Sequence, residues 1–411
     1  MSKATTSYPK EKIKILLLEG ISQSAIDEFH HAGYTNIETH AKALDEDELI
    51  KKIKDAHLLG IRSKTQVTQR VIEAAEKLWG IGAFCIGVNQ VDLKAATRAG
   101  VTVFNSPYSN TRSVAELVIA EAIMLIRRIP EKNNGAHKGD WLKEAKGSFE
   151  LRGKTLGIIG YGHIGSQVSI MAEALGLKVL YYDVEPKLPL GNATGFRSLG
   201  DMLKKSDIVT LHVPGGSSTK NLITAARIKQ MKKGSILLNL SRGEVVDLDA
   251  LREAIESGHI AGAGLDVFPI EPEGKGQRFE SPLQGLANVI LTPHIGGSTE
   301  EAQVNIGSDV AGKLINLLDS GATVGSHSVP PLSLPIQAGT NRLLHIHHNK
   351  PGVLSEINTI MGKMDVNIVG QYLKTNEDIG YVVLDIAKAP SKDILKALQK
   401  VKHTIRARVL F

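Results

Sequence analysis

Short apolar runs alternate along this chain with stretches whose apolar residues recur at helical spacing. KIKILLLEG, from Lys12 to Gly20, predicts a buried strand, and Ser22 to His31 a helix. HLLGIRS, ending at Ser63, and GIGAFCIG predict strands on either side of a helical VTQRVIEAAEKL. This β-α-β order is the pattern of a parallel sheet. Asn110 to Ile129 carries one long apolar periodicity and predicts a helix bridging two lobes.

A cleaner unit begins at Lys154. KTLGIIG predicts a strand, YGHIGSQVSIMAEALG a turn and helix, and KVLYYD the next strand; SDIVTLHVP, GSILLNLS, IAGAGLDVF and NVILTP predict four more. Thr299 to Asp319 predicts a helix returning to the first lobe, with Ser298 and Glu301 at capping-box spacing. The first lobe would then be discontinuous. Residues 323–340 hold Gly325, Pro330, Pro331, Pro335 and Gly339 in a polar, short-patterned stretch, which predicts a linker. Beyond it the elements run β-α-β-β-α-β, the order of a ferredoxin-like module.

A length of 411 residues allows two or three domains, and 42% hydrophobic with 22% charged residues suits folded cores. No apolar run reaches the roughly 20 residues needed to span a bilayer, so no membrane partner is expected. The first twenty residues lack the layout of an export signal. A single cysteine, Cys85, excludes a disulfide framework and fits a reducing cytoplasm. Of the net charge of +6, residues 341–411 supply five, with eleven Lys and Arg against six Asp and Glu. These charges stand singly on amphipathic elements without interleaved aromatics, so solvated faces are expected and nucleic acid is not.

Gly160-Tyr-Gly162-His-Ile-Gly165 fits G-x-G-x-x-G between an apolar strand and a helix, and Asp183 ends the next strand. In that Rossmann-like context Gly160 allows the tight turn, Gly162 lets the backbone approach a pyrophosphate, and Gly165 allows close helix packing. The amides of His163 and Ile164 would lie at the helix N-terminus, where the dipole favours phosphate. Asp183 would accept from ribose hydroxyls and repel a 2′-phosphate, favouring NAD over NADP. A glycine-rich structural turn is the competing reading.

Arg242 in LNLSRGEVVD, Glu271 in DVFPIEP and His294 in LTPHIGG each follow the carboxyl end of a strand, the edge at which open α/β sheets bind ligands. Oxidising an alcohol by hydride transfer needs a base for the hydroxyl proton, and histidine titrates in the right range. A carboxylate on its far ring nitrogen would fix the tautomer, and an arginine can grip a substrate carboxylate. Each also has a structural reading: a histidine beside Pro293, a loop charge between prolines, a strand-end arginine.

GYGHIG…YYD, NLSRGEVVD, GLDVFPIEP and LTPHIGGST, in this order, resemble the D-isomer-specific 2-hydroxyacid dehydrogenases. IRSKT, FNSPYSNTRSVAE and the C-terminal module narrow the resemblance to members that act on D-3-phosphoglycerate and carry a ligand-sensing ACT domain. The resemblance implies a Rossmann-like NAD domain (110–295) inserted in a discontinuous flavodoxin-like substrate domain (1–109 and 296–326), then a linker (327–340) and the ACT domain (341–411). It implies that Arg242 binds the substrate carboxylate and C2 oxygen, that His294 is the acid/base, and that Glu271 is its partner. Leu240, Ser241, Arg242, Asp266, His294, Ile295, Gly296 and Gly297 are implied to line the cofactor site. Arg62, Ser63, Lys64 and Asn110 are implied to hold the substrate, with Lys143 reaching a neighbouring subunit.

In the same way His347, Asn349 and Asn367 are implied to bind L-serine as a feedback inhibitor, in a homotetramer. Where the family shows paired linker glycines, this chain has Ala338-Gly339. His345, His347 and His348 could form a metal cluster, but no carboxylate or Cys completes a set nearby, so no metal is expected. The resemblance implies oxidation of D-3-phosphoglycerate to 3-phosphohydroxypyruvate at the start of serine synthesis, with 2-oxoglutarate reduction to 2-hydroxyglutarate as a second activity. The alternatives are a glyoxylate or hydroxypyruvate reductase, and a non-catalytic NAD-sensing protein.

Overall fold

The structure, a computed structural model, describes residues 8–272, 276–387 and 391–410. The chain divides into two compact units, Met1–Ser109 with Gln303–Phe411, and Asn110–Ala302.

In the first unit five parallel strands lie in the spatial order Ile37–Thr39, Ile15–Leu17, Leu58–Ile61, Gly80–Ala83, Thr102–Asn105. Counted along the chain this is 2-1-3-4-5, the flavodoxin-like order. The strands are shorter than their apolar runs: KIKILLLEG contributes three strand residues. Both faces are covered, as parallel strands require. Leu16, Leu59, Ile81 and Val103 pack on one side, and Ile15, Leu17, Leu58 and Phe104 meet Ile306, Val310 and Leu314 of the return helix on the other.

That helix spans Glu300–Ser320 and is capped one residue later than the sequence pattern suggests. The Ala302 amide donates to Thr299 Oγ1 at 3.1 Å, whereas the Ser298 amide donates to the Ile295 carbonyl. The hydroxyl at the N-cap position is therefore that of Thr299, so the capping-box register at Ser298 and Glu301 does not hold.

The C-terminal module in the same unit is a four-stranded antiparallel sheet, ordered Ile368–Thr375, Ile379–Ala387, Thr340–His348, Thr404–Val409. Helices Val353–Lys363 and Ser391–Gln399 belong to the same βαββαβ order. Leu344, Ile346, Ile379 and Tyr381 pack with Val329 and Leu334 of the linker, so the linker is partly buried. Arg342 anchors its end. This fully buried guanidinium holds Asp385 at 2.7 and 2.6 Å and donates to the carbonyls of Ser320, Leu334 and Pro335. Gly339, at φ +81°, is where the chain turns between the two.

The second unit holds seven parallel strands: Val289–Leu291, Ile260–Leu265, Ser235–Asn239, Ile208–Leu211, Thr155–Ile159, Lys178–Tyr182, Thr194–Gly195. Counted along the chain this is 7-6-5-4-1-2-3, the Rossmann order 3-2-1-4-5-6 with one more strand at its far edge. The long apolar stretch is not one helix. It runs Thr111–Ile126, breaks at Arg127 and Arg128 (φ +55°), and restarts as Ile129–Lys138. Pro130 explains the break, because in one continuous helix it would have no amide to donate to the Ile126 carbonyl and its ring would clash with that carbonyl.

Candidate active site

The loops that leave the carboxyl ends of strands in the second unit carry most of the residues singled out by sequence. At the first, Gly160 sits at φ +91°, and a Cβ there would run into the His212 carbonyl oxygen. A Cβ on Gly165 would meet the Gly160 carbonyl in the same way, so both must be glycine. Gly162 differs. It is the N-cap of helix His163–Ala174, and a Cβ there would meet nothing within 4 Å. The chain thus leaves the backbone uncovered at this N-cap, next to the amides of His163 and Ile164, which is the condition for a phosphate to approach a helix N-terminus.

Asp183 accepts from the amides of Tyr161 at 2.8 Å and Glu185 at 3.0 Å. A carboxylate has about four acceptor positions, so lone pairs remain for ribose hydroxyls. Asp183→Ala is expected to weaken NAD binding and relax discrimination against NADP. Titrating both cofactors against the variant checks this, and an unchanged preference would remove Asp183 from that role.

The reactive end is built around a histidine–carboxylate pair. His294 Nδ1 and Glu271 Oε2 are 2.8 Å apart, and Glu271 Oε1 accepts from the Phe268 amide at 3.0 Å. Hydrogen bonding to Glu271 outweighs burial and raises the His294 pKa above its ordinary value. Burial pushes Glu271 up, but the bonds from His294 and Phe268 prevail and hold it below its ordinary value. Arg242 lies near enough that its charge draws Glu271 down and opposes protonation of His294. Its Nη1 donates to the Ser241 carbonyl at 2.7 Å.

Two buried residues hold these loops, and neither role is visible in a motif. Asn239 Oδ1 accepts from the Ser241 amide and hydroxyl, while its Nδ2 donates to the Arg242 carbonyl at 2.9 Å. Asp266 accepts from Thr292 Oγ1 at 2.6 Å and from the amides of Ile295 at 2.8 Å and Gly296 at 2.7 Å. It thus ties down the turn in which His294 sits at φ +54°. Behind this strand lies Glu121, fully buried on helix Thr111–Ile126, its pKa pushed to about 8 by burial and by the Asp266 charge. It is therefore mostly protonated at neutral pH. A polar residue ending an apolar strand was the signal for Asn239 and Asp266; nothing in sequence marked what they hold.

Leu240 and Ser241 are buried in the Arg242 turn, and Asn110 packs directly on Gly297. Lys143 is not brought to this group; it lies in an exposed stretch whose Trp141 is 86% exposed. Arg62, Ser63 and Lys64 sit together in the first unit, after strand Leu58–Ile61. In the C-terminal module His347 is buried, its Nδ1 2.8 Å from the His348 carbonyl, and Asn349 donates to the Asn376 carbonyl. Asn367 does not join them. His347 pairs with Gly380 and Asn367 bonds through Ala387, seven residues along the same strand, or roughly 23 Å. Among the described residues, no group of three or more His, Cys, Asp and Glu could hold a metal. No described helix is long and apolar enough to cross a membrane.

Residues 119–296 match the family model "D-isomer specific 2-hydroxyacid dehydrogenase, NAD binding domain", and residues 343–406 match "AHAS small subunit-like ACT domain". The chain is 55% identical to D-3-phosphoglycerate dehydrogenase of Haemophilus influenzae over 405 residues, covering 98% of this chain and 99% of that one. The Escherichia coli K12 protein of the same name is also 55% identical, over 99% of this chain and all of its own length. Among solved structures, D-2-hydroxyisocaproate dehydrogenase matches with a TM-score of 0.70 and 27% identity, over 77% of this chain and all of that one.

Proposed function

This chain belongs to the D-isomer-specific 2-hydroxyacid dehydrogenases, is an NAD-dependent oxidoreductase, and, we propose, oxidises D-3-phosphoglycerate to 3-phosphohydroxypyruvate. The observation that carries this reading is the His294–Glu271 pair beside Arg242, at the carboxyl edge of the nucleotide-binding sheet.

Bound NAD supplies the hydride acceptor. Arg242 grips the substrate carboxylate and polarises the C2 oxygen. With Nδ1–H donated to Glu271, His294 keeps Nε2 as the acceptor and takes the hydroxyl proton as the C2 hydrogen leaves with its electron pair. The imidazolium so formed is stabilised by the carboxylate. In the reverse direction the same Nε2–H returns the proton to the carbonyl oxygen. Arg62, Ser63 and Lys64 are assigned to the phosphate, and Lys143 to a neighbouring subunit's substrate.

Regulation by L-serine belongs to the same reading. His347 and Asn349 at one end of the sheet cannot close on one amino acid together with Asn367 of their own chain, so a serine site made of all three needs Asn367 of a second copy. This favours a homo-oligomer, assigned here as a tetramer working in the cytoplasm. A panel of 2-hydroxy and 2-keto acids, with 2-oxoglutarate among them, followed through NADH absorbance with and without L-serine, tests all of it. D-3-phosphoglycerate should give the highest kcat/KM, and serine should lower kcat with little change in KM. His347→Ala or Asn367→Ala should relieve that inhibition. A preference for unphosphorylated acids would overturn the substrate, and inhibition that persists in both variants would displace the serine site.

A further inference from the structure

We propose that Glu19 is the positioning residue that shapes the Arg62–Ser63–Lys64 loop to receive the substrate's phosphate. The inference rests on the assignment of that loop to the phosphate. Glu19 follows the first strand and lies 43 residues before Arg62, yet its carboxylate gathers the loop around itself. Oε1 accepts from the amides of Arg62 at 3.0 Å and Thr65 at 2.9 Å, and Oε2 accepts from the amide of Lys64 at 3.0 Å. From the other side, buried Gln90 donates through Nε2 to the Arg62 carbonyl at 2.7 Å. The loop is thus held by both its amides and a carbonyl.

The backbone at this point is strained to make the arrangement. Glu19 has φ +62° and Gly20 φ +61°, two successive left-handed residues. A non-glycine residue persists there only where its surroundings over-determine it, and three charge-assisted hydrogen bonds do so. Convergent amides of this kind form an anion-binding concavity, and here an anion of the chain itself fills it. The amides of Arg62, Lys64 and Thr65 are therefore spoken for, and recognition of the phosphate falls to the Ser63 amide and to the side chains of Arg62, Ser63 and Lys64, which are part-exposed or exposed. Glu19 fixes where those three side chains start.

The test compares 3-phosphohydroxypyruvate with hydroxypyruvate, which lacks the phosphoryl group, in NADH oxidation by the full chain. Glu19→Gln, which keeps the shape and one acceptor oxygen, should raise KM for the phosphorylated acid about tenfold, with kcat within about threefold. Glu19→Ala should act in the same direction and further. The kcat/KM for hydroxypyruvate and the affinity for NADH should stay within about twofold in the Gln variant. Equal losses on both keto acids would show that Glu19 only braces the fold, and unchanged kinetics in both variants would remove it from the site. Arg62→Ala separates the two levels. If that variant keeps its KM for the phosphorylated acid, the phosphate lies elsewhere and the role of Glu19 falls with it. If KM rises while Glu19→Gln is silent, only the positioning role fails.

Discussion

His294→Ala is expected to lower kcat by about 10²–10⁴-fold while NAD affinity stays close to that of the unmutated enzyme. In the proposed mechanism the imidazole supplies proton transfer, whereas the Gly160–Gly165 turn and Asp183, proposed to hold the dinucleotide, are left intact by the substitution. Because Glu271 raises the His294 pKa, the pH profile has a definite sign. Alcohol oxidation needs neutral imidazole, so its rate should fall as pH drops through that raised pKa. Keto-acid reduction needs imidazolium and should fall as pH rises through it. Glu271→Gln removes the negative partner and should move both limbs toward lower pH. Steady-state profiles in the two directions check this. Near-normal turnover by His294→Ala, or limbs that do not move in Glu271→Gln, would end the acid/base assignment.

The pattern of apolar runs was enough to read the two parallel sheets and the βαββαβ module, because burial on both faces demands continuous apolar strands. Element ends were less legible. Helix Thr111–Ile126 stops where Pro130 forbids its continuation, and helix Glu300–Ser320 is capped by the hydroxyl of Thr299 rather than that of Ser298. Candidate site residues could be picked out where a residue type matches a chemical task, as at Arg242, Glu271 and His294, of which the last two stand within hydrogen-bond distance. They were not legible where a polar group holds a distant segment. Asp266 reaches 30 residues to the Gly296 amide and Glu19 reaches 46 to Thr65, and no local spacing encodes either bond. Register was likewise invisible: the separation of His347 from Asn367 follows from strand pairing that the order of elements does not give.

Gly243→Ala should be nearly as damaging as loss of the histidine, though it removes no functional group. Gly243 follows Arg242 in the short 3₁₀ turn Gly243–Val245, and a Cβ on it would stand inside the carbonyl group of Phe268 and against the nitrogen of Pro269. The obstacle is backbone, so no rotamer change can make room. Either the Arg242 turn moves away from the sheet edge, or the Phe268–Pro269 segment moves and takes with it the amide that anchors Glu271. The first displaces the arginine from the place in which it is proposed to grip the substrate carboxylate. The second loosens the carboxylate that orients His294. A shift of about 1 Å in either group is of the size that costs about 10²-fold in rate, and the overpacking itself costs about 1–3 kcal/mol. Asn239 resists the first route, since it grips both the Ser241 amide and the Arg242 carbonyl. The Glu271 side should therefore yield, and the variant should show a lower His294 pKa as well as a lower kcat/KM. Urea unfolding and the pH dependence of kcat/KM, measured on the same preparation, decide it. A Gly243→Ala enzyme with unchanged kcat/KM and an unshifted pH profile would mean that the contact between these two loops does not set the catalytic geometry.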